Sequence, residues 1–238
     1  MENVKRVLFM GDSITELYMG HNGWPRYFCE ILGVEKHACA AVSGARWCDY
    51  ENTVRDSHPE IVVNEDNRNN TMCNQVERVR REKATNGLFS DFDIIIIAAG
   101  TNDEEPESDE CADAQFVRDG EYIPLGQVDT RTFGGSVRYV CENLFELYPN
   151  AAIFLCGPVQ ADEALRPFGS ILRKGELLHR LSARLSVNFI DTIHCGIYGR
   201  YEKRGTCGRS LCDGLHPNDN GARQLARFIA GAVIGYRI

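Results

Sequence analysis

Four short blocks in this 238-residue sequence carry side chains that together could perform acyl transfer. Gly11-Asp12-Ser13-Ile14 offers a hydroxyl, and Ser43-Gly44 a backbone N–H with no side chain in the way. Gly100-Thr101-Asn102-Asp103 offers a side-chain amide, and Asp213-Gly214-Leu215-His216-Pro217 a carboxylate three residues from an imidazole. A serine hydroxyl is a weak nucleophile at neutral pH, so it needs a base to take its proton, and His216 is the candidate. Asp213 would hold the imidazole in one tautomer and stabilise its charged form. The oxyanion of a tetrahedral intermediate needs donors already aimed at it. The backbone N–H groups of Ser13 and Gly44 and the side-chain NH2 of Asn102 are the candidates, with glycine permitting close approach.

Taken singly, each residue has a plainer reading. Ser13 could cap a following helix, Asn102 and Gly44 could serve turns, and His216 could lead into a helix capped by Asn218 or Asp219. The coincidence of all five in one order favours chemistry. Asp103 is also a carboxylate near the set, but its adjacency to Asn102 predicts a local structural role.

These blocks converge only if the chain between them forms the right elements. Val7 to Met10 reads as a buried strand, followed by a helix over Trp24 to Leu32 that Pro25 starts and Gly33 stops. Ala38 to Val42 reads as a weaker second strand. Met72, Val76 and Val79 recur at helical spacing, and Ile94-Ile95-Ile96-Ile97 within Asp93 to Ala99 predicts a central parallel strand buried on both faces. A helix through Val137, Val140, Leu144 and Leu147, a strand over Ala151 to Cys156, a helix through Leu177, Leu178, Leu181 and Leu185, a strand over Val187 to Ile190, and a closing helix through Leu225, Phe228, Ile229 and Val233 complete the series. Alternating strands and helices imply a doubly wound α/β sheet in one domain spanning 1–238. In such sheets ligands bind beyond the carboxyl ends of the strands, which is where the first three blocks fall. Two polar stretches, Ala45 to Asn70 and Asp103 to Thr130, escape the rhythm and read as binding loops. The acidic run from Asp103 to Glu110 within the second reads as a solvated loop. Arg46, Trp47, Asp49 and Tyr50 are candidates for the leaving-group side, with an ordinary loop the competing reading.

Two other enzymatic plans fail on the same residues. An α/β-hydrolase would present its serine as Gly-x-Ser-x-Gly after several strands. Here Ser13 follows the first strand and Thr15 stands where the second glycine belongs. No Gly-x4-Gly-Lys-Ser/Thr loop and no Gly-x-Gly-x-x-Gly after a strand is present to cradle phosphates.

In order and position the four blocks resemble the four signatures of the SGNH (GDSL-like) hydrolases, over Gly11 to His216. That resemblance implies a three-layer, flavodoxin-like, five-stranded parallel sheet of order 2-1-3-4-5 with helices on both faces. It also implies a serine esterase with Ser13, Asp213 and His216 as catalytic residues, Ser13, Gly44 and Asn102 as the oxyanion hole, and neither metal nor cofactor. Members act on short esters, lysophospholipids and thioesters alike, so the resemblance leaves acyl length open. An idle binding module of the same fold would be expected to lack one of the five groups. The polar character of the two long stretches favours a short acyl group on a carbohydrate or other alcohol over a long chain, unless Trp24, Phe28 and Phe133 line a tunnel rather than a core.

Composition narrows the partners. A formal net charge of −8 opposes binding to a phosphate backbone, so nucleic acid is not expected. The apolar run near the N-terminus is too short for a signal-peptide core or a membrane span, which predicts a cytoplasmic protein acting on a small-molecule ester. The ten cysteines, scattered through strands and helices, are expected to be reduced. Cys195, Cys207 and Cys212 form the densest group, with no Cys-x-x-Cys or His-x3-His pattern to suggest zinc. The histidines at 21, 37, 58, 179 and 194 lie outside any block and read as structural or surface residues.

Overall fold

The isoleucine run determines the architecture, because a strand buried on both faces must be covered by helices on both. In the computed structural model, which describes residues 6–16, 23–55 and 68–236, the strands are β1 (Arg6–Gly11), β2 (Lys36–Cys39), β3 (Ile94–Ala98), β4 (Val117–Arg118), β5 (Glu121–Tyr122), β6 (Ala152–Cys156) and β7 (Asn188–Ile190). The helices are α1 (Trp24–Leu32), α2 (Met72–Thr85), α3 (Asp109–Asp113), α4 (Phe133–Leu147), α5 (Phe168–Leu185) and α6 (Asp219–Gly235). β4 and β5 form a small antiparallel hairpin; the other five strands make one parallel sheet in the order β2-β1-β3-β6-β7. Counted within that sheet the order is 2-1-3-4-5, the α/β arrangement expected from the motifs.

Side chains alternate across this sheet with a period of two. Leu8, Met10, Ile95, Ile97, Ile153 and Leu155 face α2, α4 and α5, where Val76, Val79, Val137, Val140, Leu144, Leu177 and Leu181 meet them. Val7, Phe9, Ile94, Ile96 and Phe154 face α1 and α6, packing on Trp24, Phe28, Leu225, Ile229 and Val233. Each fully buried Leu, Ile or Phe contributes about 1.5–3 kcal/mol relative to exposure. A one-residue slip of any central strand would exchange the two sets, so the register is firmly specified.

That register aligns the carboxyl ends of the strands. Gly11 pairs with Ala98, Ala98 with Cys156, and Cys156 with Ile190. Whatever follows β1, β3, β6 and β7 therefore emerges on one edge.

Two boundaries differ from the sequence reading. The second strand is Lys36–Cys39 rather than Ala38 to Val42. It is an edge strand whose first two residues are exposed, so its N-terminal half has no apolar signal. Beyond Cys39 the chain still follows β1, with the N–H groups of Ala40 and Val42 donating to Phe9 and Gly11 carbonyls at 2.8 and 3.0 Å. The stretch from Asp103 to Thr130 is not an open loop: it contains α3 and the β4–β5 hairpin, and it buries Ala112, Phe116 and Ile123. The buried guanidinium of Arg138 on α4 holds it down through the carbonyls of Gln115 and Ile123. Its acidic run is only partly solvated, because the Glu107 carboxylate accepts the free N–H groups of Phe133 and Gly134 at 2.9 and 2.7 Å and caps α4.

Among the described residues no disulfide joins the ten cysteines and no helix is long and apolar enough to cross a membrane. Nor does any group of three His, Cys, Asp or Glu among them stand where it could hold a metal ion.

Gly11 ends β1 where the strands come closest. Its φ is +152°, and a Cβ there would lie 2.1 Å from the Ala98 carbonyl oxygen of the neighbouring strand. Gly11→Ala must push β1 off β3 at the base of the Ser13 turn. We expect a loss of about 3 kcal/mol in urea unfolding, from overpacking plus backbone strain. A loss under about 1 kcal/mol would show that the two strands can spread at this point.

Candidate functional site

The chain turns immediately after β1. The Asp12 carbonyl accepts the N–H groups of Thr15 and Glu16 at 3.0 and 2.9 Å, and the Asp12 carboxylate accepts that of Ile14 at 3.0 Å. This tight turn leaves Ser13 at its outer corner, half-buried, with its hydroxyl engaged by no cap. Instead Ser13 Oγ lies 2.9 Å from His216 Nε2, across 203 residues of sequence.

His216 sits on a loop between β7 and α6 that is braced at several points. Leu211 bridges to Pro217, the Cys212 N–H donates to the His216 carbonyl at 2.8 Å, and the buried Glu202 carboxylate accepts the N–H groups of Ser210 and Leu211 at 2.8 and 3.0 Å. Gly214 adopts φ +89°, where a Cβ would meet the backbone of Lys203 and Arg204 at 2.7 Å. Within this loop one oxygen of Asp213 accepts the N–H groups of Leu215 and His216 at 2.9 and 2.7 Å, and the other lies 2.7 Å from His216 Nδ1. The carboxylate thus binds the Nδ1–H tautomer, which leaves Nε2 bare toward the serine. Burial opposes the Asp213 charge, yet the donors from His216 and Leu215 outweigh it and hold the carboxyl below the usual aspartate range. Asp213 therefore stays ionised beside the His216 ring.

Gly44 lies in the turn after β2, at φ +73°. That turn is tied to the serine turn by Glu16, whose carboxylate accepts the Ser43 N–H at 2.7 Å and the Ser43 hydroxyl. Asn102, after β3, reaches the same place: its Nδ2 donates to the Ala45 carbonyl at 3.0 Å. The opposite end of its amide accepts from Arg166 at 3.2 Å, and Arg166 also donates to the Thr101 carbonyl at 2.5 Å. The amide is therefore held with its NH2 on the Ala45 carbonyl, next to Gly44 in the chain, and with one N–H to spare. Among the described residues the backbone N–H groups of Ser13 and Gly44 donate to no protein acceptor, and the second Asn102 N–H has none either.

Asp103 clamps the segment after Gly44, accepting the N–H groups of Trp47 and Cys48 at 3.0 Å each. That segment is largely interior. Trp47 is fully buried against Phe133, and Asp49 is buried on Arg55 and Thr130, so neither lines a leaving-group site. Arg46 lies over the Tyr50 ring, 4.2 Å from its centroid, and near Asp103. Trp24, Phe28 and Phe133 are all fully buried, the first two against Phe9 and the third against Trp47, and form no tunnel. His37 is exposed on β2, His179 stacks on Phe189 and His194 lies beside Asp191, while His21 and His58 fall outside the described residues.

The structure thus brings Ser13, His216 and Asp213 into one hydrogen-bonded chain and sets Gly44 and Asn102 together beside Ala45. The sequence matches the model of the GDSL-like Lipase/Acylhydrolase family over residues 9–224. The chain belongs to this family. It is accordingly a carboxylic ester hydrolase. No curated protein matches it by sequence. Among solved structures, a protein from Lactobacillus plantarum superposes with a TM-score of 0.68 at 16% identity, covering 100% of each chain. A possible lipase from Chitinophaga pinensis superposes with a TM-score of 0.62 at 16% identity, covering 97% of this chain and 98% of that one. A catalytic mutant of an acetylxylan esterase from Geobacillus stearothermophilus gives 0.53 at 16% identity, covering 96% and 94%. At such identities these neighbours bear on the fold alone.

Four supporting residues of this GDSL-like hydrolase escaped the sequence reading. Asp12 belongs to the serine block and Glu16 follows it by two residues, so both could have been questioned there. Arg166 and Glu202 lie in no motif, and only the folded chain brings them to the site. Asp12 carries the strongest electrostatic signature: burial pushes its carboxyl up to about 7, against the Ile14 N–H that favours the charge, with Asp103 adding to the rise and His216 opposing it. An unfolded aspartate titrates near 3.9, so folding takes up a proton between that value and about 7. The stability Asp12 contributes is thus fully present below about pH 4 and is lost as pH rises through its folded value. We expect the unfolding free energy of the wild type, relative to Asp12→Asn, to fall from pH 4 to about 7 and to level off above about 8. A difference independent of pH, measured by urea unfolding across that range, would show that the buried carboxyl is ionised throughout.

Proposed function

We propose that this chain is a serine esterase that removes a short acyl group, acetyl foremost, from an alcohol such as a carbohydrate, through an acyl-enzyme on Ser13. The observation that carries this reading is the unbroken relay from Ser13 Oγ through the His216 ring to Asp213, at 2.9 and 2.7 Å. As Ser13 Oγ attacks the ester carbonyl, its proton passes to His216 Nε2, and Asp213 stabilises the imidazolium. The carbonyl oxygen becomes an oxyanion facing the N–H groups of Ser13 and Gly44 and the Asn102 amide. Collapse of the tetrahedral intermediate sends the proton from His216 to the departing alkoxide and leaves an acyl group on Ser13. A water molecule, deprotonated by His216, then attacks the acyl-enzyme; breaking the bond to Oγ releases the carboxylic acid and restores the serine.

The short-acyl preference is supported by the burial of Trp24, Phe28 and Phe133, the large apolar side chains that were candidates for an acyl tunnel. Each CH2 of a long chain left in water forfeits about 0.8 kcal/mol, so a lipid-selective enzyme needs such a lining. The acetylxylan esterase fold among the neighbours is consistent with a carbohydrate as the alcohol.

We expect hydrolysis of p-nitrophenyl acetate and a decline in kcat/KM from acetyl to octanoyl esters. Ser13→Ala and His216→Ala should each remove nearly all activity, and the double variant should be little worse, because these groups act as a unit. Activity that survives in Ser13→Ala overturns the assignment; a steady rise toward octanoyl replaces the short-acyl reading by a lysophospholipase or thioesterase.

Arg166 provides a second test of the oxyanion pocket. Asn102→Ala should lower kcat by about 10²–10³ with a smaller change in KM, since its amide meets a charge present mainly in the transition state. Arg166→Met frees that amide to rotate, and a loosened catalytic group costs on the order of tenfold to a hundredfold in kcat. Added to Asn102→Ala, the Arg166 change should do little more. Fully additive losses in this double-mutant cycle would mean that Arg166 acts elsewhere.

A further inference from the structure

One large cavity flanks the site without belonging to the serine relay. It encloses about 540 Å³ between the segment following β6 and the turn around Tyr198, within the range of small-ligand sites. Its walls hold two exposed aromatic rings, Phe168 and Tyr198, at 43% and 49% exposure, above the buried Ile171. Arg166, Arg200 and Glu163 complete them. Edge contact with Tyr201, 5.4 Å between centroids, supports the Tyr198 ring.

The segment that forms one wall is tied to both halves of the catalytic apparatus. Arg166 binds Asn102 and Thr101, while the N–H of Asp162 donates to the Gly214 carbonyl, within the Asp213–His216 loop, at 2.8 Å. An occupant touching Arg166 is thus one side chain from the oxyanion donor, and the segment holding it reaches the loop whose imidazole must protonate the leaving oxygen.

The lining selects among occupants. A long acyl chain could use Phe168, Tyr198 and Ile171, but it would strip water from Arg200 and Glu163 and return no hydrogen bond to them. A purely anionic group would meet Glu163 as well as Arg200, and the three kinds of nitrogen on Arg166 already serve Thr101, Leu165 and Asn102. A pyranose ring suits both features, since its C–H face packs on aromatic rings while its rim of hydroxyls meets one donor and one acceptor side chain. Among the described residues Arg200 has no ion-pair partner, and Glu163 spends only one oxygen, on the Phe168 N–H at 3.1 Å.

We propose that this cavity is the alcohol-side subsite and that it binds the sugar ring of an acylated carbohydrate against Phe168 and Tyr198. The proposal rests on the short-acyl esterase reading for its catalytic consequence, though not for binding itself. Two esters separate them: monoacetylated methyl glucoside, which carries a ring, and ethyl acetate, which carries none. Tyr198→Ala and Phe168→Ala should raise KM for the glucoside about tenfold, the loss of one aromatic stacking contact of roughly 1.4 kcal/mol, with kcat within twofold and ethyl acetate hydrolysis unchanged. Binding is read independently by saturation-transfer NMR of methyl glucoside on the Ser13→Ala protein, where Tyr198→Ala should abolish the signal. Unchanged KM for both esters, equal losses on both, or losses confined to octanoyl esters each overturn the subsite, the last by making the cavity an acyl pocket. If methyl glucoside binds at Tyr198 but neither acetate is hydrolysed, the subsite stands and the short-acyl reading falls. If both are hydrolysed and methyl glucoside does not bind, the reverse holds.

Discussion

Ser13 and His216 are 203 residues apart, and the contact between them has no local cause. It exists because the carboxyl ends of the sheet strands lie in register, from Gly11 through Ala98 and Cys156 to Ile190. That register is a packing constraint. With Ile94 and Ile96 committed to one face and Ile95 and Ile97 to the other, β3 has one placement, and its neighbours must match it. The packing of α6 against α1 and the same sheet face then sets the loop that ends in His216. A hydrogen bond contributes only about 1 kcal/mol to stability, so it cannot by itself draw such distant segments together. The apolar core does that, and the relay is a consequence.

Two aspartates in this site are treated oppositely by the fold. Asp213 keeps three donors and remains charged beneath its usual range. Asp12, one residue before the serine, is buried with a single backbone donor and is pushed up to about 7. The contrast suits the proposed chemistry: the ionised group faces the imidazole that this mechanism turns into a cation, whereas a second full charge under the serine would oppose the oxyanion of the same mechanism at close range.

Much of the fold was legible in the sequence. Continuous apolar runs and helical periodicity located the central strands and the main helices, and α1 is bounded by Pro25 and Gly33 as its sequence predicts. Ser13, Gly44 and Asn102 could be brought together on paper because each follows a predicted strand, whereas Asp213 and His216 stand far beyond β7 and were grouped with them only by the motif order. The β2 edge was not, since an edge strand with exposed Lys36 and His37 lacks the pattern of burial. Arg166 and Glu202 were not either: their partners are backbone and amide groups remote in sequence, and long-range contacts of that kind leave no periodic trace. The stretch from Asp103 to Thr130 misled because its buried residues, Ala112, Phe116 and Ile123, are few and widely spaced among charges.

Those charges point to a device that recurs along the carboxyl edge of the sheet. Glu16 takes the N–H and hydroxyl of Ser43, Asp103 the N–H groups of Trp47 and Cys48, Glu107 those of Phe133 and Gly134, Glu202 those of Ser210 and Leu211, and Asp213 those of Leu215 and His216. Each carboxylate satisfies two donors that no strand ladder or helical turn satisfies, those at Phe133 and Gly134 being the free N–H groups that open α4. A carboxylate can do so because it accepts through both oxygens and donates nothing, and charge-assisted bonds of this kind are roughly twice as strong as neutral ones. Several acidic residues that look solvated in the sequence are therefore internal braces, and the excess of Asp and Glu over Lys and Arg is in part structural. On the proposed mechanism the benefit falls on the oxyanion donors. Gly44 lies between the Glu16 and Asp103 clamps, so in that mechanism its N–H would be held in place before substrate arrives, and no reorganisation would have to be completed at the moment the oxyanion forms.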